Sequence, residues 1–163
     1  MKHILSALVE NHAGVLLRVA GLFGRRGFNI DSLAVGVTEN PEISRMTIVV
    51  SGDDYTVEQV IKQLNKLIEV IKVKNLSEGE VVGRELALIK VKCDAASRLE
   101  IIQIANVFRA NIIDVNKDSV TAEITGGHDK IEALQDMLET YGIVEMARTG
   151  VIALERGSQG LSL

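Results

Sequence analysis

The sequence predicts an α+β fold built from two tandem βαββαβ units, each about 75 residues long. Hydrophobic patterning gives the order strand, helix, strand, strand, helix, strand twice along the 163 residues. Apolar residues of the first predicted helix also recur in the second half at a constant spacing of 85 residues. The matched pairs are Leu16–Ile101, Leu17–Ile102, Val19–Ile104, Ala20–Ala105, Leu22–Val107 and Phe23–Phe108. A repeat of this kind fits two small domains better than one.

The first unit opens with a mostly apolar strand over residues 3–9 and an amphipathic helix over 15–26. The apolar residues of this helix follow the i, i+3, i+4, i+7 spacing of a one-sided stripe. Gly27 follows two arginines, a combination typical of a helix C-terminus. The unit continues with hairpin strands over residues 28–38 and 43–51. A second helix follows Asp53-Asp54 and extends as far as Ile68, and a last strand covers 70–76.

The second unit restarts after a short polar linker, Ser77–Glu80. Its predicted elements are a strand at 85–93, a helix at 98–109, hairpin strands at 112–116 and 120–125, a helix at 130–140 and a strand region at 143–154 interrupted by Gly150. Residues 156–163 form a polar tail that we expect to fray. Each unit should form a four-stranded antiparallel sheet with two helices on one face, the ferredoxin-like pattern. The predicted domains are residues 1–77 and 84–163.

Composition excludes several classes of protein. The formal net charge is −4 and only five residues are aromatic, which argues against nucleic-acid binding. No apolar run approaches the roughly 20 residues that cross a bilayer. The N-terminus lacks the apolar segment of a secretory signal, and a single cysteine fits a reducing compartment, so we expect a cytoplasmic protein. Three histidines and one cysteine are too few to predict a metal site or a nucleophilic enzyme.

The loop before the first helix differs between the two units. The first unit has Asn11–Val15 (NHAGV), and the second has Ala96–Glu100 (ASRLE) at the same spacing. A glycine before a helix leaves backbone N–H groups open to a small anion, such as the carboxylate of an amino acid. An amide side chain at Asn11 or Asn29 can meet its ammonium group. The pattern alone favours a structural alternative, in which Asn11 is an ordinary N-cap and Gly14 an ordinary turn glycine. Candidate apolar contacts for the ligand come from Val15, Leu16 and Ile30.

Three motifs extend this interpretation. They are V-E-N-H-A-G-V-L-x-R-V-A-G-L-F from Val9, R-R-G-F-N-I-x-S-L from Arg25, and V-x-x-T-E-x-P-x-x-S-R-M-T-I-V-V from Val35. Together they resemble the N-terminal ACT domain of the small, regulatory subunit of acetolactate synthase (acetohydroxyacid synthase). Downstream segments, including R-E-L-A-L-I-K-V from Arg84 and Arg148-Thr149-Gly150, carry the resemblance through the chain.

The resemblance implies an ACT homodimer whose edge strands join into one eight-stranded sheet and which binds valine at its interface. The first protomer would contribute Asn11, His12, Ala13, Gly14, Val15 and Leu16. The adjoining protomer would contribute Asn29 and Ile30. The C-terminal ferredoxin-like domain of the small subunit would follow. Because Arg98 and Leu99 lie where the first unit has its glycine loop, we expect this second unit to bind no amino-acid effector.

The resemblance also implies a protein without catalytic residues. Such a subunit activates the catalytic large subunit and confers feedback inhibition by valine in branched-chain amino acid biosynthesis. Thiamine diphosphate, magnesium and FAD would belong to the catalytic partner, and this chain would bind no cofactor, metal, nucleic acid or membrane. The alternatives are a free-standing amino-acid-sensing ACT protein and a ferredoxin-like acyl-phosphate hydrolase. The hydrolase needs a phosphate-cradling loop with a fixed cation, which neither 11–16 nor 95–100 supplies despite Arg98.

Overall fold

The computed structural model describes residues Met1–Leu163 and confirms two βαββαβ units. They separate into two compact units. Unit 1 comprises Met1–Gly83 together with Val151–Leu163, and unit 2 comprises Arg84–Gly150. No helix of the molecule combines the length and the apolar character needed to cross a membrane.

Unit 1 has an antiparallel sheet in the order β2-β3-β1-β4, so that β2 and β4 are its edges. Its elements are β1 (Lys2–Glu10), α1 (Val15–Arg26), β2 (Ile30–Val37), β3 (Ile43–Ser51), α2 (Asp54–Leu64), β4 (Val70–Asn75) and a 3-10 turn (Leu76–Glu78). The predicted bounds of α1 and β3 are confirmed. The 3-10 turn occupies part of the predicted linker.

The core of unit 1 lies between its helices and its sheet. Helix α1 buries Val15, Val19, Leu22 and Phe23, which recur at the spacing of one helix face. These side chains pack with alternate residues of the strands, such as Leu5 and Ala7 of β1, in one cluster. Burial of large apolar side chains is the main stabilising contribution in such a unit, at about 25 cal/mol per Å².

The strand registers fix which loops share an end of the sheet. β1 pairs with β3 from Lys2↔Ser51 to Glu10↔Ile43. β2 pairs with the same strand, with Ile30 opposite Val50. The start of β2 is therefore level with the start of β1, and the loop that follows Glu10 lies at the other end.

Unit 2 repeats the arrangement, with strand order β6-β7-β5-β8. Its elements are β5 (Val81–Lys92), which begins in unit 1, α3 (Ala95–Val107), β6 (Asn111–Val115), β7 (Ser119–Gly126), α4 (His128–Glu139) and β8 (Ile143–Arg148). Helix α3 begins three residues before its predicted start and α4 two residues before. The core of unit 2 includes Ile89 and Ile124 from the sheet and Ile101 and Leu134 from the two helices.

The predicted 85-residue spacing between the repeats is wrong. It pairs Leu16, which is 47% exposed, with the fully buried Ile101. The turn that ends each helix gives the correct spacing: the Phe28 N–H donates to the Phe23 carbonyl and the Ala110 N–H to the Ala105 carbonyl. These equivalent residues are 82 positions apart, and the same spacing pairs buried Val19 with Ile101.

The last part of the chain returns to unit 1. The predicted strand region 143–154 divides at Gly150 into β8 and a separate strand, β9 (Ile152–Glu155), which pairs with β5. Lys74 forms an ion pair with Glu155 at 2.7 Å. The expected fraying tail also makes defined contacts, because Arg45 donates to the Leu161 carbonyl at 3.1 Å and Lys72 to the Ser162 carbonyl at 2.9 Å.

Candidate functional site

The β1–α1 loop ends in a helix start that no side chain caps. Gly14 is the N-cap residue of α1, with φ +90°, a left-handed conformation that favours glycine. A Cβ added at Gly14 would meet no atom within 4 Å. No acidic residue lies in the first turn. The Val15 N–H donates to the His12 carbonyl at 3.5 Å. The next N–H groups of the first turn and the positive end of the helix dipole are therefore available to an anion.

Asn11 is held by the β2–β3 turn and does not cap the helix. Its side-chain Nδ2 donates to the Pro41 carbonyl at 2.9 Å, and its backbone N–H donates to the Glu42 carbonyl at 2.8 Å. The N-cap alternative for Asn11 is therefore wrong. The amide instead fixes the path of the loop, and its side-chain oxygen keeps its capacity to accept a hydrogen bond.

His12 gives the loop a titratable charge. Its Nε2 lies 2.7 Å from Glu10 Oε2, and its Nδ1 lies 3.2 Å from the Ala13 carbonyl. The hydrogen bond with Glu10 is the largest cause that raises the pKa of His12 above 6.5, and the Ala13 carbonyl adds to it. When protonated, His12 forms an ion pair with Glu10 at the start of the loop.

Glu69 and Arg18 belong to the same neighbourhood, although the sequence analysis missed them. Arg18 Nη1 donates to Glu69 Oε1 at 2.8 Å, and the Glu69 carbonyl accepts the Glu10 N–H at 2.9 Å. Glu69 is only 7% exposed. In the sequence, the only indication of a special role for Glu69 is its position between the apolar residues Ile68 and Val70. A single charged residue there is also typical of a strand boundary.

Asn29 and Ile30 lie at the opposite end of the sheet from the loop. Asn29 Nδ2 donates to Asp31 Oδ1 at 3.3 Å, and Ile30 begins the edge strand β2. The seven residues of β1 between the two levels span roughly 25 Å at the usual rise of a strand. The structure thus brings together residues 11–16 and separates them from Asn29 and Ile30 within one protomer.

The equivalent helix of unit 2 has a capped N-terminus. The Asp94 side chain accepts the Ser97 N–H at 2.8 Å, and the Ser97 hydroxyl accepts the Asp94 backbone N–H at 2.8 Å, which completes a capping box. These hydrogen bonds lower the pKa of Asp94. A fixed carboxylate occupies the position that an anionic ligand would need, so α3 lacks the open helix start of α1.

Unit 2 contains one cysteine, Cys93, and one histidine, His128. No group of three or more His, Cys, Asp or Glu side chains is arranged to hold a metal ion. Cys93 is a free, partly buried cysteine. His128 contacts Glu85, Glu132 and Arg148, an arrangement that links α4 to β5 and β8.

The comparisons with known proteins agree with the two-part fold. Residues 5–72 match an ACT domain family of the acetohydroxyacid synthase small-subunit type, and residues 84–157 match a family described as the small subunit of acetolactate synthase. A probable acetolactate synthase small subunit of Archaeoglobus fulgidus is 58% identical over 159 residues, covering 98% of this chain and 99% of that protein. This chain belongs to the family of acetolactate synthase regulatory small subunits.

Other small subunits of the family are similarly related. An acetolactate synthase small subunit of Mycobacterium bovis is 57% identical over 159 residues, covering 98% of this chain and 95% of that protein. The crystal structure of an acetolactate synthase small subunit from Thermotoga maritima matches with a TM-score of 0.89 at 46% identity, covering 98% of this chain and 99% of that one. The ferredoxin-like ACT architecture is therefore that of a solved small subunit.

Proposed function

We propose that this chain senses valine and thereby controls a catalytic large subunit of acetolactate synthase in branched-chain amino acid biosynthesis. It would activate that subunit and confer feedback inhibition, acting with it in the cytoplasm. Thiamine diphosphate, magnesium and FAD would belong to the catalytic subunit. The observation that carries the proposal is the uncapped start of α1 at Gly14.

The proposed effector site takes one part from each of two protomers. Residues 11–16 and Asn29–Ile30 lie at opposite ends of the same sheet, so a single protomer cannot bring them to one ligand. β2 is an edge strand with unpaired backbone groups along one side. If two β2 strands pair in antiparallel fashion, the start of one meets the end of the other. Asn29 of one protomer then approaches the β1–α1 loop of its partner.

The chemistry of this site suits an aliphatic amino acid. The carboxylate would lie at the N-terminal N–H groups of α1. Half-exposed Leu16 and partly buried Ile30 offer apolar contacts to a branched side chain. Val15 packs into the core and anchors the end of the loop. Binding at a shared interface favours the dimeric arrangement that closes it, and a coupling of about 1–3 kcal/mol to the catalytic subunit is typical of allosteric control.

Reconstitution with a purified catalytic subunit tests the proposal. Addition of the full chain should raise acetolactate synthesis, and subsequent titration with valine should lower it. Leucine and isoleucine provide parallel titrations, because one methylene changes affinity by only about 1–3 kcal/mol in an apolar pocket. Failure to activate, or activation that no branched-chain amino acid reverses, would contradict the proposal.

Asn29→His is the matched variant in that experiment. It adds bulk and removes the amide at the far end of β2, so it should weaken the response to valine while leaving activation in place. Substitution of the structurally corresponding Asn111 by His provides a control in unit 2, where Asn111 begins β6.

A further inference from the structure

Glu69 is a buried carboxylate with one oxygen that makes no hydrogen bond. Its Oε1 accepts from Arg18 at 2.8 Å, whereas its Oε2 is shielded from solvent and has no partner. A carboxylate can accept about four hydrogen bonds. A buried, half-satisfied carboxylate is costly, because its charge is removed from water without full compensation. Such a group calls for a functional explanation.

Glu69 lies next to the β1–α1 loop, which forms part of the proposed effector site. The Glu69 carbonyl binds the N–H of Glu10, the last residue before the β1–α1 loop. Arg18, its side-chain partner, closes the first turn of α1, since the Arg18 N–H donates to the Gly14 carbonyl at 3.0 Å. Glu69 is therefore linked to both ends of the loop, to Glu10 through its backbone carbonyl and to Arg18 through its carboxylate.

The other polar groups of the loop are more exposed to water than Glu69. The Asn11 side-chain oxygen can accept a hydrogen bond, but it belongs to an exposed and uncharged amide. Glu10 is paired with His12 at 2.7 Å, and His12 itself favours its cationic form. Glu10 is also half-exposed, whereas Glu69 Oε2 is shielded from solvent and has no hydrogen-bond partner.

We propose that Glu69 is a further effector-binding residue, whose Oε2 accepts the α-ammonium group of the amino acid while the start of α1 receives its carboxylate. This inference rests on the proposed function and names the group that distinguishes an amino acid from a simple carboxylic acid. Because Oε2 is shielded in the free protomer, the β1–α1 loop must shift to admit the ligand. A glycine at position 14 permits such a shift.

Two ligands that differ only in the ammonium group separate binding from structure. Valine and 3-methylbutanoate share the branched side chain and the carboxylate, but 3-methylbutanoate has no amine. Full-length wild-type, Glu69→Gln and Glu58→Gln proteins would be titrated with each, using calorimetry for valine and backbone NMR shifts for the weaker acid. Glu58→Gln is the matched control, since Glu58 pairs only with Lys62 on the exposed side of α2.

Glu69→Gln should weaken valine binding by roughly tenfold or more, as expected for a lost charged hydrogen bond, and change 3-methylbutanoate binding less than twofold. Unchanged valine affinity, or an equal loss for both ligands, would overturn the inference. If circular dichroism shows that Glu69→Gln does not fold, Glu69→Asp replaces it, because its shorter side chain withdraws the carboxylate from the ligand. The affinities of Glu69→Asp for the same two ligands are then compared with those of the wild type. Absence of valine binding to the wild type would instead refute the proposed function, and this inference with it.

Discussion

Gly14 is the residue on which the proposed effector binding would depend most directly, because its backbone opens the start of α1. Its φ of +90° is tolerated by Asp and Asn better than by other side chains. Gly14→Asp should abolish valine binding, since its carboxylate would occupy the anion position and repel the ligand. Gly14→Asn is the matched control, being similar in shape but uncharged, and should retain measurable heat of binding. Equal affinities of Gly14→Asp and the wild type in calorimetry would locate the site elsewhere.

His12 provides a pH-dependent property of the same loop. Its pKa is raised above 6.5, chiefly by the Glu10 hydrogen bond. The stabilisation from this pair is therefore fully present below about pH 6.5 and is lost as the pH rises through the raised pKa. Glu10→Gln should return the His12 pKa towards 6.5, as measured by NMR titration of its ring protons. A His12 pKa that is the same in both proteins would contradict this assignment.

At the scale of single elements, the start of β1 carries an unsatisfied buried histidine. His3 is 4% exposed, neither ring nitrogen has a hydrogen-bond partner, and Nε2 lies 3.8 Å from Asp54. The ring borders a cavity of about 320 Å³ that is also lined by Val57 and Ile61. His3→Leu should therefore stabilise unit 1 by about 1 kcal/mol in denaturant unfolding, by removing a buried unpaired polar group. A destabilised His3→Leu protein would indicate that the imidazole is satisfied in solution.

The elements of unit 1 were predicted well because its patterns are one-sided. Helix α1 has a single apolar stripe and a glycine stop, and the bounds of α1 and β3 are those observed. Helix α3 was misaligned because apolar residues occur on more than one of its sides. Leu99 is 66% exposed and Val107 is 81% exposed, so their hydrophobicity did not indicate the buried face. The D-x-x-S capping box at Asp94 was the signal that would have given its start.

The candidate site was predictable only in part. The open glycine before α1 is a local feature, and the sequence contains it directly. The contact of Asn11 with Pro41 and that of Glu69 with Arg18 join residues far apart in the chain, which no local pattern predicts. The separation of Asn29 from the loop follows from strand register, which only the folded sheet reveals.

At the scale of the whole molecule, the last residues of the chain stabilise the unit that contains the site. Deletion of Val151–Leu163 removes β9 and its Lys74–Glu155 pair, and should lower the melting temperature of unit 1 by several degrees. Deletion of residues 158–163 alone loses the contacts with Arg45 and Lys72 but keeps β9, so its effect should be smaller. Hydrogen exchange of the β1, β3 and β4 amides would locate the change. Identical melting of all three proteins would contradict the stabilising role.

The proposed effector site is shared by two protomers. A purified heterodimer, with Gly14→Asp on one chain and Asn29→His on the other, distinguishes a shared site from one that lies within a single protomer. One of its two sites combines a wild-type loop with a wild-type Asn29, while the other site carries both substitutions. Calorimetry should therefore find one valine bound per heterodimer with wild-type affinity, although each homodimer binds weakly or not at all. A heterodimer that binds valine no better than the two homodimers would contradict a shared site.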